Sequence, residues 1–349
     1  MKNLIKKIPD KRILLFKSCL ISTEYPGVES STKFVFDKLD IEYIIDHSQS
    51  CCTGLGHYSD IFDMFSTTLI AARNFDIAIK DNHPNIATMC ATCYAINKKA
   101  AKLLNNDNKI RNEVNNIFKE TDTDRNYIKD SISSKNNIFH VVEIIYSKKD
   151  KLKELIENNT KENNNSNNNS NNNSNNNSNN NSNNNSNNNS NNLNLKKLQE
   201  CKIASHHACH YCKVHYEDTI GGIRNPRILD EILESCGIES VPWFNEKRTT
   251  CGAGFRQRFV NKDLSMKVTE EKLKAIKDEN VDILVHMCPN CHMQLDRYQP
   301  YISNQNAEDF NIINLNIVQL IAILLGADLE KVVGIQTHTI KVNIEKLIQ

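Results

Sequence analysis

The chain has 349 residues, 39% hydrophobic and 24% charged, which suits a soluble protein of two ordinary domains. A net charge of +1 gives no general electrostatic case for nucleic acid or an anionic membrane. The start lacks the apolar core of a signal peptide, and the best apolar stretch, Ile312 to Leu325, is too short and too polar to span a membrane.

In chain order, Arg12 to Phe16 reads as a short buried strand and Gly27 to Leu39 as a helix. Ile41 to Asp46 is a second strand, Tyr58 to Phe75 a helix, Asn85 to Met89 a third strand, and Ala91 to Leu104 a helix. A near-perfect Asn-Asn-Asn-Ser repeat, Asn163 to Asn192, has no apolar residue to bury and is expected to be a disordered linker. After it the order recurs. Lys202 to Ser205 is a strand, Pro226 to Ser235 a helix, Val241 to Phe244 a strand, Thr269 to Lys277 a helix, Val281 to Met287 a strand and Pro289 to Arg297 a helix. Such alternation implies α/β architecture with parallel sheets. We therefore expect two tandem Rossmann-like cysteine-rich domains, residues 1–160 and 195–349, each a small parallel sheet flanked by helices, joined by a linker over 161–194.

The cysteines repeat one layout. Cys19 is followed by the pair Cys51-Cys52 and then by Cys90-Ala91-Thr92-Cys93. Cys209 is followed by Thr250-Cys251 and then by Cys288-Pro289-Asn290-Cys291. Cys19, Cys90, Cys209 and Cys288 fall just past predicted strands, where α/β sheets gather their sites. Without a secretory signal, clustered Cys-x-x-Cys pairs point to metal or redox chemistry rather than disulfides. Five thiols are too many for one tetrahedral zinc and suit an iron–sulfur cluster. The second run has a threonine where the first has a cysteine.

At these residues the chain resembles the B-type subunits of heterodisulfide reductase, within the wider family of cysteine-rich (CCG) iron–sulfur domains. The resemblance rests on Glu24-Tyr25-Pro26-Gly27-Val28-Glu29, Ala71-Ala72-Arg73-Asn74 and Met89-Cys90-Ala91-Thr92-Cys93-Tyr94. In the second half it rests on Ala208-Cys209-His210, Asn225 to Glu231, Cys251-Gly252-Ala253-Gly254 and Cys288-Pro289-Asn290-Cys291-His292. It implies a cytoplasmic enzyme of methane-producing archaea that reduces the mixed disulfide of coenzyme M and coenzyme B. It also implies two iron–sulfur clusters facing the substrate from opposite sides. By that match Cys19, Cys51, Cys52, Cys90 and Cys93 hold a noncubane 4Fe-4S cluster, and Cys209, Cys251, Cys288 and Cys291 hold the second. The A-type (flavin, iron–sulfur) and C-type (iron–sulfur) components of heterodisulfide reductase are the implied partners; this chain has no Gly-x-Gly-x-x-Gly flavin segment. Related iron–sulfur subunits of thiol:fumarate reductase or of lactate and glycolate oxidation are the alternative, as is a non-catalytic electron-transfer paralogue.

Thr250 leaves three outcomes open for the second cluster: a cubane on four cysteines, a fifth ligand from Cys212 or Cys236, or an iron left open for a substrate sulfur. Cys201 and Cys236 otherwise read as small core residues. His206, His207 and His210 surround Cys209; His206 and His210 are the candidates for protonating a departing thiolate, against a plain structural role. The anionic groups of the implied substrate need cations, and Arg73, Arg224, Arg256 and Arg258 lie near the motifs, each also readable as a solvated charge. Gly54, Gly56, Gly252 and Gly254 are expected to let backbone N–H groups approach cluster sulfur.

Overall fold

The computed structural model describes residues 7–121, 124–170, 196–214 and 222–340, with the side chains of 160–170 and 255–256 left aside. Each half is built on a parallel sheet. In the first, β1 (Ile13–Phe16), β2 (Tyr43–Ile44), β3 (Asn85–Thr88) and β4 (Ile138–His140) lie in the order β2-β1-β3-β4. In the second, β5 (Ile203–His206), β6 (Ile283–His286) and β7 (Ile313–Asn316) lie in the order β5-β6-β7. The strands β1, β5 and β6 are buried along their whole length. They are short apolar runs because helices cover both sheet faces. The register aligns the strand ends, with Phe16 opposite Thr88 and Thr88 opposite His140. His206 likewise lies opposite His286, and His286 opposite Asn316.

Two strands went unforeseen, and they match. β4 ends in His140, whose ring accepts a hydrogen bond from Val142 N, while the Glu143 carboxylate accepts one from His140 N at 2.8 Å. β7 ends in Asn316, whose side chain accepts from Val318 N while its own N–H donates to Gln319 Oε1. Each is a capping box opening a buried helix, Val141–Ser147 and Ile317–Leu324. The apolar stretch from Ile312 is therefore a strand and a helix divided at Asn316.

Two expectations are corrected. Val241 to Phe244 is not a strand: a single bridge pairs Ser240 with Ile203, Val241 N donates to Ile203 O at 2.7 Å, and Pro242 has no N–H to continue the ladder. The stretch from Tyr58 to Phe75 is two helices, Gly54–Tyr58 and Met64–Lys80. Asp60 in the left-handed region breaks it, and Asp63 caps the second helix by accepting from Ser66 N. Helix Lys149–Ser170 runs into the opening of the Asn/Ser tract. Residues 171–195, where the rest of the expected linker falls, lie outside the described residues.

The two halves exchange helices. Helix Pro26–Lys38 of the first packs on Ile317–Leu324 of the second, and Ile228–Ser235 of the second packs on Val141–Ser147 of the first. The turn at each first cysteine crosses too: Cys19–Glu24 lies against Pro289–Arg297, and Cys209–Cys212 against Ala91–Asn106. One apolar core runs through both halves as a result. Gly27 shows how close the exchange is, since a Cβ there would overlap the Val333 carbonyl. The opposite crossing is tied by polar groups, with Tyr146 Oη donating to Glu231 Oε2 at 2.5 Å and Lys149 Nζ 3.4 Å from the same oxygen.

Candidate functional site

Strand ends set the cysteines in place. Cys90 and Cys288 are the N-cap residues of helices Ala91–Asn106 and Pro289–Arg297, and Cys93 and Cys291 fall within the first turns. Positive helix ends thus face both Cys-x-x-Cys pairs, which favours thiolate. The cysteine pair of the first half enters helix Gly54–Tyr58 through Thr53, a β-branched residue held at φ 56°. That conformation is costly for threonine and marks a functional constraint. It turns Thr53 N toward Cys51 Sγ (3.3 Å) and Gly54 N toward Cys52 Sγ (3.4 Å). In the second half Gly252 takes the matching left-handed position at φ 91°. Gly252 N donates to Thr250 Oγ1 at 3.4 Å, and Ala253 N donates to Cys251. Thr250 therefore stands where Cys51 stands, in a backbone nest of the same form.

The thiols of the first half share protons in a row. Cys19 and Cys52 hydrogen-bond to Cys51, which those bonds hold down at about 3. Cys52 is pushed up to about 12, chiefly by the Cys51 contact, and its sulfur lies 3.1 Å from Cys93 Sγ. Contacts with Cys52 and Cys90 raise Cys93. In the second half the Cys291 contact lowers Cys251, contacts with Cys291 and Cys90 lower Cys288, and burial pushes Cys209 up to about 12. Clustered thiols, with Cys19 exposed, Cys51 and Cys209 half-buried and the rest buried, suit a bound cation, which would replace their protons and satisfy the sulfurs together. With backbone N–H groups aimed at sulfur, the donor sets fit iron–sulfur clusters. Cys19, Cys51, Cys52, Cys90 and Cys93 would hold one, and Cys209, Cys251, Cys288 and Cys291 the other.

The two sets meet. Cys90 Sγ and Cys288 Sγ are 4.0 Å apart across the interface of the halves. Beside them a cleft is lined by Thr92, Cys209, His210, Thr250, Cys288 and Asn290. His210 Nδ1 is 3.1 Å from Thr92 Oγ1, and its ring stacks on Tyr58 with centroids 4.5 Å apart. Burial lowers its pKa.

Of the other named residues, His206 faces sulfur inside the second half. One of its ring nitrogens, Cys251 Sγ and Cys291 Sγ all lie within 4.8 Å of one another. Burial sets its pKa well below that of an ordinary histidine. His207 belongs to a buried polar knot instead. Its Nε2 accepts from Leu229 N at 3.2 Å, so its 3.9 Å approach to Asp230 joins a neutral ring, and Lys247 Nζ is the cation on that carboxylate at 3.3 Å. Cys212 is buried on the helix behind Cys209 and makes none of the sulfur–sulfur hydrogen bonds above. Cys236 is core, and Cys201 donates to Lys197 O at 3.2 Å. Arg73 donates to Ser48 O at 2.8 Å, bracing the loop before Cys51. Arg224 is exposed, and the Arg256 side chain lies outside the described residues. Arg258 is half-buried within electrostatic reach of Cys251, and its Nη1 has no hydrogen-bond partner. Among the glycines, Gly54 donates to sulfur, whereas Gly56 gives room to the Phe62 ring.

Sequence reasoning missed Lys272, Thr92 and Tyr58. Lys272 is fully buried, donates to Glu246 O, and is drawn down to about 8 by burial against the pull of Cys251 and Cys291. It sits eleven residues past the N-cap Asn261, as Asn74 sits past the N-cap Asp63. Asn74 is neutral and holds the residue before Cys51: its Oδ1 accepts from Ser50 N at 2.9 Å, and its Nδ2 donates to Ser50 O at 3.1 Å. The signal for Lys272 was that internal alignment. For Thr92 and Tyr58 nothing in the local sequence pointed across to His210.

The cysteine-rich domain family (CCG) matches residues 13–96 and 203–296. The B-type subunit of the ferredoxin:CoB-CoM heterodisulfide reductase of Methanosarcina acetivorans is 42% identical over 96% of this chain and 95% of its own length. A protein of Archaeoglobus profundus described as like the B-type subunit of heterodisulfide reductase is 28% identical over 92% of this chain and 93% of its own. The 8-methylmenaquinol:fumarate reductase membrane anchor subunit of Wolinella succinogenes is 21% identical over 90% and 93%. A crystal structure of a hypothetical protein from Helicobacter pylori shares the fold, with a TM-score of 0.61 and 15% identity over 98% of this chain; this chain spans about half of that one, 54%. Among the described residues no helix is long and apolar enough to cross a membrane. With two matched cysteine-rich domains and that degree of identity along almost its whole length, the chain belongs to the family of B-type heterodisulfide reductase subunits.

Proposed function

We propose that this protein is the catalytic subunit of a cytoplasmic heterodisulfide reductase, cleaving the coenzyme M–coenzyme B disulfide between two iron–sulfur sites. The observation that carries this reading is the meeting of the two cysteine sets, with Cys90 and Cys288 sulfurs 4.0 Å apart beside a shared cleft. Reducing a disulfide takes two electrons, and a pair of clusters supplies one to each sulfur when bound.

The chain's own groups account for the remaining needs. The exchanged helices bury Cys90, Cys93, Cys251, Cys288 and Cys291 and limit water there, which strengthens charge interactions beside the cleft. Two thiolate products need two protons; His210, the histidine lining the cleft and held in orientation by Thr92 and Tyr58, can relay them one at a time from solvent. Its lowered pKa makes it a stronger acid once protonated. Arg258, with an unpartnered nitrogen near Cys251, offers a guanidinium to an anionic arm of the substrate. Electrons would arrive from partners of the A and C types, and exposed Ile61, Phe62, Phe259 and Val260 supply apolar surface of the sort such partners cover.

The test is anaerobic reconstitution followed by iron determination and a disulfide reductase assay with a reduced low-potential dye. About eight irons per chain with turnover of the heterodisulfide are expected. No iron above background sinks the reading. Thr250 favours a second reading, an electron-transfer paralogue without catalysis, because it fills the nest position of Cys51 with a poor iron ligand. About four irons per chain and no turnover in the assembled complex would favour it.

A further inference from the structure

The second half has Thr250 in the nest position of Cys51, and a histidine lies beside the sulfurs that remain. His206 ends β5 as Phe16 ends β1, three residues before Cys209 and Cys19 respectively. Where the cysteine set is complete the strand ends in a ring with no ligand atom. Where Thr250 breaks the set it ends in an imidazole, within 4.8 Å of Cys251 Sγ and Cys291 Sγ.

A second observation is independent of that comparison. His206 is 1% exposed, and neither ring nitrogen has a hydrogen-bond partner. A buried polar atom left unpaired is costly, so native proteins rarely leave one without a bound group to satisfy it. His286 and His292 are unpartnered as well, but their rings pack on each other at 4.4 Å, with Tyr25 stacked on His292 at 3.9 Å. Among the described residues, His206 is the histidine grouped with two cysteine sulfurs.

We propose that His206 is an imidazole ligand of the second iron–sulfur cluster, joining Cys209, Cys251, Cys288 and Cys291 in place of the thiolate that Thr250 replaced. This rests on the iron–sulfur reading above. Imidazole is a borderline donor well suited to iron, whereas a threonine hydroxyl is a hard, weakly acidic one. A neutral nitrogen in place of a thiolate makes the site one charge less negative, and imidazole ligation raises the potential of an iron–sulfur centre. Buried Lys272 acts in the same direction. The second site is therefore the more oxidising of the two, where an electron entering the chain comes to rest first.

The full chain, grown with 15N-histidine and reconstituted anaerobically, is examined by pulsed electron paramagnetic resonance in the reduced state. The expected result is a histidine nitrogen coupling that rescales between 14N and 15N samples. His206→Cys should keep the bound iron, abolish the coupling and move the second potential downward. His206→Phe, the residue of the first half, should keep first-half iron and lose iron from the second; if it fails to fold, the labelled parent and His206→Cys still decide. Full iron without any histidine coupling, or a coupling that survives in His206→Cys, overturns the proposal. Absence of iron from the parent protein overturns the iron–sulfur reading itself, a result that iron determination separates from the others.

Discussion

The two halves present the same backbone nest beside their Cys-x-x-Cys pairs, yet they differ at three matched positions. The first has Cys51, Phe16 and Asn74, where the second has Thr250, His206 and Lys272. Thr250 removes a potential negative charge and Lys272 adds a positive one near the sulfurs, while His206 sets a neutral imidazole there. A duplicated scaffold has kept its backbone device and altered its electrostatics, which is how two like centres acquire unlike potentials.

The largest test removes one site at a time. Cys93→Ala and Cys291→Ala should each lose the iron of their own half, and each should cut disulfide turnover by roughly 10²-fold or more, the scale reached even when outer-shell partners are removed. Turnover that survives loss of either set breaks the idea that both halves act together.

Acid should separate the halves next. Burial lowers His207 to about 4 and His286 to about 3, both in the second half. In the unfolded chain these rings protonate near 6.5, while the folded protein keeps them neutral. The stability they contribute is thus full above that value and is lost as pH falls toward 4, by up to roughly 3 kcal/mol for His207. Hydrogen exchange at pH 5 against pH 7.5 should show strands β5 and β6 opening ahead of β1 and β3; uniform opening contradicts the asymmetry.

The two helix crossings differ in kind and should differ in sensitivity. Gly27→Ala drives a methyl into the Val333 carbonyl and should cost about 1–3 kcal/mol, read as a lower Tm. Tyr146→Phe removes one hydrogen bond to Glu231 and should cost about 1 kcal/mol. Equal effects would mean that close backbone approach does not govern the first crossing. Smallest of all, Lys272→Met should lower the potential of the second site by on the order of 50 mV, while Asn74→Ala leaves the first potential nearly unchanged. Redox titration followed by spectroscopy reads both.

Sequence alone carried the elements nearest the cysteines, because each is a short apolar run leading to a thiol or a helical period starting from one. Strand β1 and helix Pro289–Arg297 are of this kind. Strands β4 and β7 escaped because each is brief and ends in a polar cap residue, His140 or Asn316. That reads as a break in an apolar stretch until the capping box is recognised. Val241 to Phe244 misled for the opposite reason: its apolar residues suggest a strand that Pro242 forbids. The ligand sets could be proposed from spacing and resemblance. What no spacing could reveal was contact between residues far apart in the chain, such as Cys90 with Cys288 or Thr92 with His210. Those contacts follow from helix exchange, a property of the assembled surfaces rather than of any local run.

That exchange has a consequence for the Asn/Ser tract. Each half completes its core with a helix from the other, so the covalent connection is not what keeps them together. The pairing of the halves is therefore expected to depend on the exchanged helices rather than on the length of the connection. Nicked within residues 171–192, the protein should persist as a two-piece complex, behaving as a heterodimer that happens to be encoded in one reading frame.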